Sequence, residues 1–483
     1  MDESAPERYA LFPLTVFDNL FERTTFVTGW LVEGTIDSDA LSAALDRVSR
    51  KWRMLSGRLQ SVKEQEKVQW QLRIPIGKIP PEYPTFALTT TTSSLPLSHY
   101  VPIPIPSTSN SFPPSVFLHS STPRQYTGWE STNHPLTCWN LTYFPASANN
   151  GVAYTCIGFS RCHGIFDGGG AASVMNALVA EMNGNEWVVP PLPHEGMNAN
   201  LVEEVLAHET RMEQSCSKNY QDYSGYTFLG VGGYMKLIAW HVRERWWRGA
   251  ERRIILMPKV VMNHLVEEVR ASLRSEQRQT DHVTTGDILV AWIFKTVYST
   301  ATKPSMMVHC TNLASFRALL GEENEKALNF PHNAFIPLPY PVLSIADLKS
   351  FSLHALTNLL AASRASLSMH HVVTAYKCLQ QSCFPNPPGA DETIMVSNVS
   401  ASRILESDWT AVGSRRTLCG YRYQATPTDV LFTNAVYIAG RLDDGSVVLD
   451  VTLNKARFEL LSGEVQRITA RLARNQNYDT KRS

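Results

Sequence analysis

Strand-like and helix-like runs in mixed order predict a layered α/β or α+β fold, in two domains rather than one. Three observations carry this reading. The 483 residues are too many for one hydrophobic core of ordinary size. Apolar runs suited to strands are interspersed with segments whose apolar residues recur every three or four positions. A proline-rich break, Pro190-Pro191-Leu192-Pro193, falls between two such series. The expected units are 1–190, a crossover at 191–225, and 226–483, with a strand segment near 390–430 packing on the first unit. No internal repeat is visible.

Taken in order, Phe26 to Val32 reads as a strand. Asp37 or Ser38 then caps a helix with Leu41, Leu45, Val48 and Trp52 on one face, closed by Gly57-Arg58-Leu59. Thr89 to Ser94 is almost wholly hydroxyl residues. Val101 to Ser115 alternates proline with serine, asparagine and aliphatics, as an extended surface loop does. After the break comes an acidic helix over Val202 to Glu213, then a strand over Arg253 to Pro258. Val261, Leu265, Val269 and Leu273 form one helix face. Thr285 is expected to cap the next helix, which carries Ile288, Leu289, Ala291 and Trp292. Val436 to Leu442 and Val447 to Leu453 flank Asp443-Asp444-Gly445-Ser446 as a hairpin. Phe458, Leu461, Val465, Ile468 and Leu472 line the closing helix.

Lys and Arg number 44, as do Asp and Glu, so no global field draws the chain to nucleic acid or to an anionic membrane. A local basic patch stays open. The eight cysteines form no CxxC pair, and Met1 to Arg8 has neither a basic n-region nor an apolar h-region. Free thiols in a reducing cytosol are expected. The most apolar stretch, Tyr226 to Val242, holds Lys236 and is shorter than the roughly 20 residues of a spanning helix. A buried or interfacial helix is expected there, and no transmembrane segment.

The stretch most informative about chemistry is His163-Gly164-Ile165-Phe166-Asp167-Gly168-Gly169-Gly170. It lies between the apolar run Val152 to Phe159 and the helix-like run Ala171 to Met182. Such a turn can set an imidazole at the open end of a sheet, beside a helix N-terminus, as a general base toward a bound alcohol or amine. Of the 14 histidines, His163 alone has an aspartate at this offset. The bland reading of the same residues is a core histidine with a surface aspartate. No helical His-Glu-x-x-His or cysteine cluster supplies a metal site, so none is expected. The basic cluster Arg243, Arg245, Arg248, Arg252 and Arg253 suits either phosphates or a solvated face.

Several segments together resemble the BAHD superfamily of acyl-CoA-dependent acyltransferases, and more closely its filamentous-fungal members in secondary metabolism. His163 to Gly168 matches the family's HxxxDG. Leu41 to Leu59 is similar to its first helix and "GRL" ending, and Thr284 to Trp292 to its "ST-x-D-x-L-x-A" helix. Asn312 to Arg317 followed by Asn333 resembles its "D-x-R … GN" segment, and Gly445 to Leu461 its closing strand and helix. The second signature, DFGWG, falls at Asp408-Trp409-Thr410-Ala411-Val412-Gly413, where only the aspartate is kept.

The resemblance implies two chloramphenicol-acetyltransferase-like α/β domains, each a mixed sheet with flanking helices, and a channel at their interface. His163 would be the general base, with Asp167, Gly168, Arg317 and Asp408 supporting the site. Asp167 would pair with an arginine, and Arg317 is the candidate partner of Asp408. Arg252, Arg253 and Thr285 are the candidate CoA contacts, while Ser397 and Trp409 are candidates for the channel wall. No permanently bound cofactor is implied. Acyl-CoA, with acetyl-CoA foremost, would be the co-substrate, and a hydroxylated small molecule such as a terpenoid, meroterpenoid or alkaloid the acceptor. A monomer is expected. The competing readings are a condensation-type enzyme fed by carrier proteins and an inactive binding protein of the same fold. Against the first, Cys162 stands where condensation domains usually carry a second histidine.

Overall fold

The computed structural model describes residues 8–64, 67–190, 200–215, 225–277, 282–323, 325, 328, 331–387 and 389–479. Much of the expected crossover, at 191–199 and 216–224, therefore lies outside the described residues; the helix Leu201–Ser215 stands between.

A five-stranded sheet organises the first half. Its spatial order is Ser414–Ala425, Thr25–Gly34, Tyr154–Cys162, Thr137–Phe144, Ala87–Thr92. Neighbours pair antiparallel, except that Ala87–Thr92 runs parallel to Thr137–Phe144. Tyr154–Cys162 is the central strand and is buried along its whole length, which is why its sequence is a continuous run rather than an alternating one. Helices Ser38–Lys51 and Gly168–Met182 pack together, and Leu41, Leu45, Val174 and Leu178 join the sheet residues in one core. Asp37 starts the first of them by accepting from the Asp39 and Ala40 N–H groups. A smaller antiparallel sheet, Tyr9–Pro13 with Lys67–Pro75 and Arg58–Glu64, lies alongside.

The second half is built on a mixed sheet of eight strands. Its main path runs Phe335–Pro337, Met307–Ser315, Glu392–Asn398, Ala435–Arg441, Val447–Leu453, Glu251–Met257, Thr108–Asn110. Helices Lys259–Ser275, Thr285–Val297, Leu353–Ala365 and Lys455–Asp479 form a separate core with it. Val261, Leu265, Val269 and Leu273 are all buried, as their spacing demands.

Each half thus carries an edge strand contributed from the other end of the sequence. Ser414–Ala425 closes one side of the first sheet, and Thr108–Asn110 pairs with Ile255, Ile254 and Arg253 of the second. The surface-loop reading of 101–115 holds for most of that segment and is corrected only at Thr108–Asn110. An edge strand pairs through its backbone on one side only, so a proline-rich polar segment can supply one without any alternating signal. Thr285 is also corrected: Thr284 is the cap, with its Oγ1 accepting from the Asp287 N–H at 3.2 Å, and Thr285 is the first helical residue.

Candidate active site

Strand pairing decides what faces the space between the halves. Phe26 stands opposite Arg161, and Thr28 opposite both Phe159 and Arg422. With side chains alternating along each strand, Phe26, Thr28, Arg161 and Arg422 share one face of the first sheet. Phe26 packs there with Ala435, Tyr437 and Met395 of the second half.

His163 is the residue that follows the central strand on this face. Its ring stacks on Phe21 with centroids 4.0 Å apart and meets the Phe26 ring edge-on at 5.0 Å. Its N–H donates to the Thr24 carbonyl at 3.2 Å, and its carbonyl accepts from Asn333 Nδ2 at 2.9 Å. The residue is 6% exposed and Nδ1 is sealed from solvent, which leaves Nε2 as the nitrogen a substrate can reach. Burial pushes its pKa down to about 3, helped by the Arg161 guanidinium; its own backbone carbonyl and Asp167 oppose this more weakly, and Arg422 adds to it. The imidazole is therefore neutral at physiological pH.

Asp167 caps the helix Gly168–Met182. Its Oδ1 accepts from the Gly170 N–H at 2.9 Å and from Arg317 Nη2 at 2.8 Å, and its Oδ2 from the Ala334 N–H at 3.3 Å. Arg317 also donates to the His332 carbonyl at 2.7 Å, and His332 Nδ1 donates to the Ile165 carbonyl at 2.9 Å. The segment 332–334 therefore clamps the 163–167 turn at three points, and Arg317 bridges the two. Two glycines permit the close approach. A Cβ on Gly164 would lie 1.7 Å from the Tyr126 hydroxyl, and one on Gly170 only 1.9 Å from the Pro331 carbonyl oxygen. None of Gly168, Gly169 and Gly170 takes a positive φ, so closeness rather than turn geometry excludes a side chain at Gly170.

Asp18 lies beneath this clamp, and no motif pointed to it. Fully buried, it accepts from the Thr15 N–H (2.7 Å) and Thr15 Oγ1 (2.9 Å), and from the Asn333 N–H (3.0 Å) and Asn333 Nδ2 (3.2 Å). Burial raises its pKa to about 7 against the pull of those four donors. The pair Arg161 and Arg422 was missed as well. Both guanidiniums are buried over the Phe26 ring, at 4.8 and 4.9 Å from its centroid. Desolvation lowers their pKa values to about 9 and about 10.

Other expected site residues lie elsewhere. Arg317 pairs with Asp167 and not with Asp408, which is exposed and caps its own loop by accepting from the Thr410 N–H at 2.8 Å. Trp409 is buried edge-on against Trp30 at 5.2 Å, so it belongs to the first core rather than to a channel wall. Ser397 is half-buried near the end of Glu392–Asn398. The neighbouring Asn398 amide would meet a Cβ on Gly286 at 2.7 Å, which places Thr285 close to the same strand end. Arg252 is no free phosphate reader: its side chain is buried, with Nε 2.7 Å from Ser111 Oγ and 3.6 Å from Asp450 Oδ1. Arg253 pairs with Glu251 and covers the Phe458 ring. Among the described residues, no group of three His, Cys, Asp or Glu side chains is placed to hold a metal.

No family model matches the chain. It is 25% identical over 190 residues to the O-acyltransferase pboC of Aspergillus ustus, an overlap of 39% of this chain and 36% of that protein. It is 24% identical over 283 residues to the acetyltransferase adrJ of Penicillium roqueforti, covering 55% of this chain and 53% of that one. The chain thus spans from about a third to about half of the curated relatives it matches. Among solved structures, TRI101 of F. sporotrichioides complexed with coenzyme A and T-2 superposes with a TM-score of 0.62 at 14% identity, over 93% of this chain and 96% of that one. The chain has the two-domain α/β fold of TRI101 and resembles fungal acyl- and acetyltransferases in sequence.

Proposed function

We propose that this chain is an acyl-CoA-dependent O-acyltransferase with His163 as general base. The observation that carries the reading is a buried imidazole on the face between the two halves, its backbone held on both sides by the Thr24 carbonyl and Asn333 Nδ2. Nε2 takes the proton from an acceptor hydroxyl as the oxygen attacks the thioester carbonyl carbon. A tetrahedral oxyanion forms next to the new imidazolium. Breaking the C–S bond restores the carbonyl, and the imidazolium returns its proton to the departing thiolate. Imidazolium and oxyanion arise together, so the buried site gains no net charge. Positioned proton transfer of this kind contributes about 10²–10⁴ in rate, and holding both substrates together supplies more.

Asp167 is a positioning residue in this scheme, because its oxygens are engaged by Gly170, Arg317 and Ala334. Cys162 is no nucleophile: it is buried, and desolvation holds its thiol well above the usual range. The names of the relatives and the coenzyme A bound to TRI101 support free acyl-CoA as donor, with acetyl-CoA the first candidate. The proposed acceptor is a hydroxylated fungal secondary metabolite. Units 1–190 and 226–483 are the proposed domains, in a monomer working in a reducing cytosol. Seven unpaired cysteines among the described residues accord with that compartment.

The test is thiol release from a panel of acyl-CoAs with hydroxylated terpenoids and alkaloids, comparing wild type with His163→Ala. Release by the wild type alone is expected; equal release by both proteins discards the assignment.

A further inference from the structure

The helix Gly230–Val242 is apolar, yet none of its residues is buried. Val231, Met235, Ile238 and Val242, spaced four, three and four, form one stripe with exposures of 83, 61, 55 and 41%. Gly233, Leu237 and Trp240, on the other side of the helix, are half-buried. The stripe continues into Trp246 and Trp247, exposed 73 and 79%, and is preceded by Phe228 at 69%. Singly exposed apolar residues are ordinary, but a contiguous row of this size marks a binding surface.

The charges beside it narrow the partner. Lys236, Arg243, Arg245 and Arg248 fall within the same segment, and Glu244 is the one acid between positions 226 and 250. Glu244 is buried and engaged by Arg243 and Arg248, so the charge beside the apolar row is carried by Lys236 and Arg245, with Arg245 donating to the carbonyl of Asp429, an acid itself paired with Arg124. Arg245 lies over the Trp246 ring at 5.6 Å, a pairing of amphipathic groups suited to a headgroup layer. A second copy docked stripe to stripe about a two-fold axis would set Lys236 and Arg245 of each copy against one another with like charge, which opposes self-association. The helix is also too short to span: 13 residues reach about 20 Å, against a hydrocarbon core of about 30 Å.

We propose that Gly230–Val242 and the Trp246-Trp247 turn dock in the plane of an anionic lipid bilayer, with the apolar stripe at the acyl boundary and the basic residues among the headgroups. Tyr234 of this helix lines a cavity of about 350 Å³ with Val16, Asn19, Leu20 and Phe384. Leu20 precedes Phe21, whose ring stacks on His163. A membrane-dissolved acceptor would meet that cavity at the docked face. This last consequence rests on the acyl-transfer reading; the docking does not.

Flotation of the full chain with phosphatidylcholine vesicles, with and without phosphatidylserine, tests it against Met235→Glu/Ile238→Glu. Both substituted side chains are exposed, and circular dichroism verifies that the variant is folded. The wild type is expected to float with the anionic vesicles and to be released by salt. The variant should partition at least about 100-fold more weakly, from the loss of two buried apolar side chains. Wild type that stays unbound, or a variant that floats equally well, overturns the proposal. So does a dimer seen by light scattering that the variant dissolves without any vesicle binding. Thiol release is scored separately with water-soluble substrates, so failure of the catalytic reading leaves the flotation result intact.

Discussion

Arg317 Nη2 meets Asp167 Oδ1 at 2.8 Å, joining the start of the helix Arg317–Glu323 in the second half to the cap of the helix Gly168–Met182 in the first. Both side chains are largely buried, at 13 and 4% exposure. Removing one partner of such a pair leaves an uncompensated charge and costs about 3–5 kcal/mol. Arg317→Met should lower unfolding stability by that order in urea titrations and cut kcat in the protein that remains folded. The reversal Arg317→Asp should gain nothing from Asp408→Arg, because Asp408 faces solvent. Recovery of stability in that double variant would show the pairing to be wrong.

The neutral imidazole has a pH signature. His163 titrates at about 3 in the folded chain, whereas an unfolded histidine titrates near 6.5. Between those values the unfolded state binds more protons, so this group's contribution is complete above about pH 6.5 and is lost as pH falls toward 3. The loss approaches about 1.4 kcal/mol per pH unit at its steepest. Unfolding curves for wild type and His163→Leu at pH 7.5, 6 and 5 should show the variant gaining on the wild type as pH falls. In activity, kcat/KM should show no acid limb near pH 6.5. A limb there that disappears in no other variant would assign the histidine an ordinary pKa.

Sequence alone made the turn and its histidine legible because glycines, a histidine and a cap occupy consecutive positions. Helix faces such as Val261 to Leu273 were equally legible, since burial on one side forces a period. The clamp was not. Asp18, Asn333 and His163 are brought together by backbone geometry across about 300 positions, and a lone buried aspartate carries no local pattern. Arg161 and Arg422 likewise share a face only once Thr25–Gly34 is placed between their strands. The Asp408 pairing failed for a related reason. Among the described residues it is Asp167 that pairs with Arg317, and a motif match cannot say which of two aspartates an arginine will meet.

Asp18 acts on the site through Asn333, so its variants should separate catalysis from binding. Asp18→Asn turns one acceptor oxygen into a donor that faces either Thr15 or Asn333, and Asn333 then loses its seat under the His163 carbonyl. Misplacement of a catalytic group by about 1 Å costs on the order of 100-fold. A fall in kcat of roughly 10- to 100-fold is expected, with KM for acyl-CoA within about twofold of the wild type. An unchanged kcat would mean that the clamp on the His163 carbonyl does not aim the ring.

Gly170 and Gly169 make a controlled pair. A Cβ at Gly170 would overlap the Pro331 carbonyl, part of the backbone, whereas one at Gly169 would meet the end of the Arg317 side chain at 3.1 Å. Backbone overlap forces the 331–334 segment away from the turn, at about 1–3 kcal/mol. Gly170→Ala should therefore lose stability and most activity, while Gly169→Ala stays close to wild type. Equal behaviour of the two would mean that the segment yields without cost.

Arg252 distinguishes a buried strut from a CoA ligand. Its guanidinium lies 3.9 Å over the Tyr423 ring and 3.6 Å from Asp450, whose own pKa burial raises to about 6. Tyr423 belongs to the strand that completes the first sheet, and Arg252 to the second sheet, so the contact ties the halves together. Arg252→Met keeps the stem and removes the charge, leaving Asp450 nearer to neutral. It should destabilise the fold by about 3 kcal/mol near pH 8, and by less near pH 5, where Asp450 can take up a proton. The KM for acyl-CoA, measured on folded protein, should not move. A tenfold rise in that KM without loss of stability would instead place Arg252 on the phosphates of the donor.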